Sequence, residues 1–159
     1  MDPAAEALAH CQIASLLSRY YQSIDQADLE ALGRDVLAED AVWEVSQHSP
    51  TEGSIRDVVE GRPAVVEWFS KILGGGVSMS EGACRHFLST HVIDVDGDGA
   101  TSTSHLQAVH THTLQTLSNG VVRARHVRTP AGWRIAHLRL DEDITDADMV
   151  AFKEAVPRD

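Results

Sequence analysis

Hydrophobic positions in the first half of the chain recur at the three- and four-residue spacing of helices. Leucines, isoleucines and tyrosines at this spacing predict a first helix over residues 5–24. Asp28 is a suitable N-cap for a second helix over residues 29–37. Pro63 predicts the start of a third helix, because proline at the first helical position loses no hydrogen bond. A short strand is expected over residues 41–46.

The second half of the chain is rich in β-branched residues and turn signals, which favours strands. Residues 84–112 predict two antiparallel strands joined by a tight turn at residues 94–99, because Asx-Gly pairs supply the positive φ that hairpin turns require. Two further strands are predicted over residues 121–129 and 133–140. Residues 47–60 mix Ser, Pro, Gly and charge, and predict a loop or flap.

The order of these elements determines the expected fold class. Early helices followed by a run of strands indicate α+β and argue against a parallel βαβ sheet. We expect one domain over residues 1–159, a cone-shaped α+β barrel in which a bent mixed or antiparallel sheet wraps the long N-terminal helix. Thr145 and Asp148 form a capping box, which predicts a short helix to about residue 155.

Composition narrows the classes of function. Thirteen Lys and Arg against 24 Asp and Glu give the 159-residue chain a formal charge of −11, which repels phosphate backbones and anionic membrane surfaces. We therefore expect no nucleic-acid or membrane partner. The sequence shows no secretory leader or spanning run, and its two cysteines form no disulfide framework, so we expect a cytoplasmic protein.

Four segments resemble SnoaL-like proteins of the nuclear-transport-factor-like fold. They are the pattern Tyr20-Tyr21…Asp25…Asp28 and the runs GRPAVVEWF, RHFLSTHVIDVDGDGAT and VRTPAGWRIAHLRL. The resemblance covers residues 8–140 and implies the same cone-shaped fold. The activity stays open, because this superfamily includes polyketide cyclases, dehydratases, isomerases, epoxide hydrolases and non-enzymatic binding modules.

A narrower similarity is to scytalone dehydratase and its relatives. That family pairs an aspartate on the first helix with one histidine on the third strand and another on the following strand. Asp25, His86 and His105 match these positions. The resemblance implies that Asp25 holds His105 and that both histidines carry the proton transfers of a cofactor-free water elimination. This chain differs in having Ile24 at the place of one tyrosine of that family, and Trp43 or Val45 at the place of a second.

Histidine chemistry fits that implication, since five of the nine histidines lie in residues 84–112. A histidine can abstract a proton beside a carbonyl because its pKa lies near neutrality. Asp25 bonded to the far ring nitrogen of His105 would fix the tautomer, with His86 as acid or second base. The residues expected to line the substrate site are Tyr20, Tyr21, Trp43, Trp68, Phe69 and Gln107.

Metal sites are less well supported by the sequence. His110 and His112 share a strand face, but no further ligand is evident, so a solvated face is favoured over zinc. The aspartates of residues 94–98 lack the length and terminal Glu of a calcium loop. We expect neither a metal nor another cofactor.

The sequence therefore predicts a lyase (dehydratase) or cyclase that acts on a small carbonyl-bearing molecule, such as a polyketide-like or other secondary metabolite. The alternatives are an isomerase or aldol-type cyclase with the same residues, and a non-catalytic small-ligand-binding module. Exposed strand edges and an apolar outer face also predict a homo-oligomer, a dimer with a trimer as the alternative. The residues expected on that face are Leu106, Ala108, Leu138 and Leu140.

Overall fold

The computed structural model of the chain describes residues 2–49, 53–74 and 84–143. None of the helices within these ranges is both long and apolar enough to cross a membrane. In chain order the elements are helix α1 (Pro3–Asp25), helix α2 (Leu29–Ala31), a π-helical turn (Leu32–Val36), strands β1 (Leu37–Ser49) and β2 (Gly53–Glu60), helix α3 (Arg62–Gly74), and strands β3 (Cys84–Asp96), β4 (Gly99–His110), β5 (Thr116–Thr129) and β6 (Gly132–Asp143).

The six strands form one sheet in the order β2-β1-β6-β5-β4-β3. Neighbouring strands are antiparallel, except that β1 and β6 run parallel. The sheet is curved, and α1 contacts it at β3 and β6. This arrangement confirms the predicted α+β class, with a bent mixed sheet around a long N-terminal helix.

Helix α1 is held by the apolar stripe that the sequence shows. Ile13, Leu17, Tyr20 and Ile24 are buried, at spacings of three, four and seven residues that place them on one helical face. Burying side chains of this size contributes roughly 1.5–3 kcal/mol each. Burial of this stripe sets the rotation of α1 about its own axis relative to the sheet. It thereby also sets the orientation of the side chains at the C-terminal end of the helix.

Alternating burial along β4 separates the two faces of the sheet. Ser102, Ser104 and Leu106 are buried on the face that packs against α1, here called the inner face, whereas His105 and its alternating neighbours are exposed on the outer face. Leu106 and Leu138 belong to the hydrophobic core, Leu140 packs against it, and Ala108 is also buried. The prediction that these four residues form an exposed apolar outer face is therefore wrong.

The segment predicted as a loop over residues 47–60 is a β-hairpin. Strand β1 continues to Ser49, and β2 pairs with it from Ser49↔Gly53 to Val42↔Glu60. Ser49 ends β1 and Gly53 begins β2, while Val58 and Val59 supply the strand pattern. Backbone pairing to β1 outweighs the weak local signal.

The second helix is shorter than the predicted range 29–37. Asp28 caps it as expected, accepting the backbone N–H of Ala31 at 3.0 Å. The chain then passes through the π-helical turn and becomes strand at Leu37. Leu32 and Val36, which suggested a regular helix, are buried in this turn and pack into the core from it. The predicted capping box at Thr145 lies outside the described residues.

Candidate active site

An aspartate–histidine pair joins the end of α1 to the start of β3. Asp25 is the last residue of α1, and its Oδ1 lies 2.5 Å from Nδ1 of His86. Its Oδ2 accepts the backbone N–H of His86 at 3.2 Å. The side chain of His86 is only 8 % exposed and that of Asp25 only 11 %. One carboxylate thus fixes both the backbone and the ring of His86.

The position of Asp25 explains why it needs a cationic partner. A carboxylate at a helix C-terminus faces the negative end of the helix dipole, and partial burial adds a desolvation cost. A protonated imidazole offsets both effects through a charge-assisted hydrogen bond. The pair is therefore electrostatically complementary at a site where either residue alone would be costly.

The surroundings of His86 determine its charge. Burial lowers its pKa, but the hydrogen bond that Nδ1–H donates to Asp25 and the nearby Cys84 oppose this, and the net pKa is raised to about 9. The Tyr21 ring stacks on the imidazole, with centroids 4.9 Å apart and planes at 30°. With Nδ1 committed to Asp25, Nε2 is the ring nitrogen left for a ligand. At neutral pH His86 is a cation that can donate from Nε2.

Tyr21 is four residues before Asp25, on the same side of α1. Burial raises the pKa of its phenol well above the usual value, and Tyr20, Glu142 and Asp25 raise it further. The phenol therefore stays neutral, and its O–H can serve as a second donor beside His86.

His105 does not join this pair. His86 pairs with Ala108 across β3 and β4, while His105 pairs with Ser89 and is exposed on the outer face. The prediction that Asp25 holds His105 is therefore wrong, because the period-two alternation of β4 places His105 on the opposite face from His86. Gln107, predicted to contact substrate, is also on the outer face, where its Nε2 donates to Thr116 Oγ1 at 3.3 Å.

The other predicted aromatic residues form a packed cluster behind Tyr21. Trp43 Nε1 donates to the Tyr20 hydroxyl at 2.8 Å, and burial raises the pKa of that phenol. The Trp43 and Trp68 rings lie 4.1 Å apart, and Phe69 contacts both edge-on. Tyr20 packs against Tyr21 at 4.8 Å. This cluster holds Tyr21 in place; it does not itself contain an acid–base pair.

A second polar cluster on the inner face was not predicted. Gln47 Nε2 donates to Glu142 Oε2 at 2.6 Å, and the Ser118 hydroxyl donates to Glu142 Oε1. Gln47 and Glu142 are paired across the parallel strands β1 and β6. Gln47 had been placed in a loop, and Glu142 beyond the last predicted strand. The alternation of Leu138, Leu140 and Glu142 along β6 is the sequence signal that could have placed Glu142 on the inner face, although it does not give the pairing with Gln47.

Two further histidines contact serines of β4. His91 Nδ1 lies 2.8 Å from Ser104 Oγ, next to the irregularity in the β3–β4 pairing, where Thr90 has a φ of +52°. His126 Nε2 lies 2.9 Å from Ser102 Oγ. Burial lowers the pKa of His126 to about 4, so it is neutral at physiological pH.

Asp25, Cys84 and His86 are the described residues whose donor atoms come close enough to hold a metal, within 4.8 Å of one another. Tetrahedral zinc with bonds near 2.0 Å separates its nitrogen and oxygen ligands by roughly 3.3 Å. The 2.5 Å separation of Asp25 Oδ1 and His86 Nδ1 is shorter, and is that of a hydrogen bond. The geometry favours proton sharing over metal ligation.

Solved structures of known proteins share this fold. A protein of unknown function from Mycobacterium tuberculosis has a TM-score of 0.73 at 22% identity, covering 98% of this chain and 94% of that one. An NTF2-like protein from Novosphingobium aromaticivorans has a TM-score of 0.66 at 25% identity, with coverages of 94% and 90%. A candidate dehydratase of the NTF2-like family from Streptomyces avermitilis has a TM-score of 0.62 at 22% identity, with coverages of 82% and 92%.

A search of curated proteins found no match to this chain. A family model for the SnoaL-like domain matches residues 5–139, which include α1 with Asp25, β3 with His86 and nearly all of the sheet. The chain therefore belongs to the SnoaL-like family of the NTF2-like fold.

Proposed function

We propose that this chain is a cofactor-independent acid–base enzyme, a lyase (dehydratase) or a related cyclase or isomerase, acting on a small carbonyl-bearing molecule. The observation that carries the proposal is the Asp25–His86 pair, a nearly buried carboxylate bonded to a histidine with Tyr21 stacked on the ring. Strongly shifted pKa values concentrate at catalytic sites, and an aspartate that orients a histidine is an arrangement typical of acid–base catalysts.

The pair defines what His86 does in the reaction. Because its pKa is about 9, His86 begins the cycle protonated and acts as an acid. In an elimination, the C–O bond breaks as the hydroxyl takes the proton of His86 Nε2 and leaves as water. The electron pair of the Cα–H bond forms the new double bond, and the Cα proton passes to the vacated Nε2, which restores the imidazolium. Asp25 keeps the proton-bearing Nε2 directed at the ligand.

The Tyr21 phenol supplies a neutral donor on the same side of the imidazole. Negative charge develops on the carbonyl oxygen as the Cα–H bond breaks, and a positioned donor lowers the energy of that enolate. His105 has no part in this scheme, which differs from the two-histidine arrangement implied by the scytalone dehydratase resemblance.

The test is a screen of small β-hydroxy ketones and esters, with formation of the conjugated product followed by its ultraviolet absorbance. We expect the wild-type protein to convert at least one compound and His86→Ala to lose that conversion. Equal conversion by His86→Ala and the wild type would contradict the acid role of His86. Isomerase and cyclase activity is distinguished by nuclear magnetic resonance analysis of the products.

A non-catalytic small-ligand-binding module is the second candidate, supported by the exposure of the second predicted histidine on the outer face. A protein that binds β-hydroxy ketones with no turnover, and whose affinity does not change in His86→Ala, would establish this candidate instead.

We also propose that copies of the chain associate into a homo-oligomer, a dimer or a trimer. The support is the exposure of Phe87 (58%) and Val92 (62%) on β3, which differ from the four residues predicted from the sequence. Light scattering at micromolar concentration tests this, and a particle of 17.3 kDa contradicts it.

A further inference from the structure

The Gln47–Glu142–Ser118 cluster leaves a hydrogen-bond acceptor unfilled. The Glu142 carboxylate can only accept, so the Gln47 amide must direct its NH₂ group at Glu142 and keep its oxygen free. Gln47 is 3 % exposed, and its Oε1 is buried with no partner within the part of the chain that the structure describes. A buried acceptor without a donor destabilises the fold. A ligand donor that filled it would relieve this destabilisation.

The cluster lies at the same end of the inner face as His86. His86 on β3 pairs with Ala108 on β4, and Ala108 pairs with Ser118 on β5. Gly120 lies two residues after Ser118 on β5 and pairs with Glu142 on β6. Tyr21 lies between His86 and the cluster. Its ring stacks on His86, and its phenol is close enough to Glu142 for the carboxylate to raise the pKa of Tyr21.

The backbone beside the cluster leaves no room for a side chain at Gly120. A Cβ atom there would collide with the backbone oxygen of Asp141, so this position of β5, opposite Glu142, requires glycine. Ser118, two residues earlier on β5, donates to the Glu142 carboxylate, so β5 contributes to the cluster at both positions.

The two sides of Tyr21 differ in hydrogen-bonding character. The His86 side offers donors, Nε2–H and the Tyr21 hydroxyl, whereas the Glu142 side offers acceptors, the carboxylate and Gln47 Oε1. A ligand that satisfies both carries a carbonyl oxygen at one end and a donor at the other. A hydroxyl fits the acceptor end, because one O–H can donate to Gln47 Oε1 while both Glu142 oxygens already accept from Gln47 and Ser118.

We infer that Gln47 and Glu142 form a subsite for a hydroxyl group, and that the substrate class is a hydroxylated carbonyl compound. This inference rests on the proposed function for its carbonyl end, while the hydroxyl end rests on the cluster alone. Ser118 and Gly120 are positioning residues, because they act through Glu142.

The test compares two probes that differ by one hydroxyl, 4′-hydroxyacetophenone and acetophenone, titrated into ¹⁵N-labelled protein and followed by chemical shifts. We expect the wild type to bind the hydroxylated probe at least about tenfold more tightly, the effect of one hydrogen bond to a charged group. Glu142→Leu should abolish this preference and Glu142→Gln should reduce it. The affinity for acetophenone should stay the same in each variant.

Asp143→Asn is the matched control, because it changes an exposed carboxylate on the next residue of β6. It should keep the full preference. The inference is overturned if Glu142→Leu retains the preference, if the wild type has no preference because a water molecule fills the subsite, or if neither probe binds.

Binding and turnover separate this inference from the proposed function. A preference that depends on Glu142 in a protein with no turnover supports the subsite and contradicts the enzyme. Turnover that depends on His86, with a hydroxyl preference unchanged in Glu142→Leu, supports the enzyme and contradicts the subsite. Thermal unfolding of each variant confirms that it is folded before either result is used.

Discussion

His86 and His126 are both buried histidines, yet their pKa values shift in opposite directions. Burial lowers both. At His86 the Asp25 carboxylate, 2.5 Å from Nδ1, and Cys84 together more than compensate, and the pKa rises to about 9. At His126 the nearest partner is the Ser102 hydroxyl, 2.9 Å from Nε2, and the pKa falls to about 4.

The difference shows that the partner of a buried histidine, more than its burial, decides its charge. A serine hydroxyl can bond to either form of the ring, so it does not offset the desolvation of a cation. A carboxylate selects the cation. At pH 7 His86 is therefore a charged acid next to Tyr21, and His126 is a neutral residue of the core.

The largest expected effect of this difference is on turnover. His86→Ala should lower kcat by about two to four orders of magnitude, the usual contribution of a positioned acid or base. His126→Ala should leave kcat of the folded protein within about threefold, because its neutral ring supplies no proton at pH 7. Initial rates for the folded fraction of each variant check both values. A similar loss of kcat in the two variants would remove the functional distinction between these histidines.

The pH dependence of stability is the next largest effect. The folded-state pKa of His86 is raised above its unfolded value of 6.5, so its contribution is complete below pH 6.5 and lost as pH rises through about 9. The folded-state pKa of His126 is lowered, so its contribution is present above pH 6.5 and lost as pH falls towards about 4. Each shift corresponds to about 3 kcal/mol of unfolding free energy.

Urea unfolding from pH 4 to 10 measures these two slopes. In His86→Gln the alkaline loss of stability should flatten relative to the wild type, and in His126→Gln the acidic loss should flatten. Each variant serves as the control for the other. Unchanged slopes in both variants would mean that neither histidine has the assigned pKa.

Most of the fold could be predicted from the sequence because its signals are local. The apolar stripe of α1 and the Asx-Gly turn between β3 and β4 each lie within one stretch of chain. The β1–β2 hairpin was missed because its pairing is stabilised by neighbours distant in sequence, above all the parallel strand β6. The segment contains many turn-forming residues and only a short strand pattern, so its sequence alone predicts a loop.

The candidate site could be predicted only in part. Asp25 and His86 were identified, but the partner of Asp25 was assigned to His105, since motif similarity does not give the register of β3 on β4. Once that register places His86 opposite Ala108, the alternation along β4 excludes His105 from the inner face. Glu142 and Gln47 meet only through the parallel pairing of β1 and β6, which no local pattern predicts.

A smaller effect is expected from removing the charge of Asp25. In Asp25→Asn the desolvation of His86 stays while its strongest compensating interaction is lost, so the pKa of His86 should fall below 6.5 and resemble that of His126. Titration of the histidine ring signals by nuclear magnetic resonance measures both pKa values in one experiment. Asp28→Asn, which changes the N-cap of α2, is the control. A His86 pKa that stays near 9 in Asp25→Asn would show that another group sets its charge.

The smallest effect is expected from the third histidine, His105, which the sequence placed in the site and the structure places on the outer face. His105→Ala removes an exposed side chain whose predicted partner, Asp25, is bonded to His86 instead, so the free energy of unfolding should change by no more than about 0.5 kcal/mol. Its kcat should remain within about twofold of the wild type. Paired urea unfolding and initial-rate measurements on His105→Ala and His86→Ala check this. A loss of turnover in His105→Ala as large as that in His86→Ala would restore the two-histidine mechanism, and would require an arrangement of β4 different from the one described.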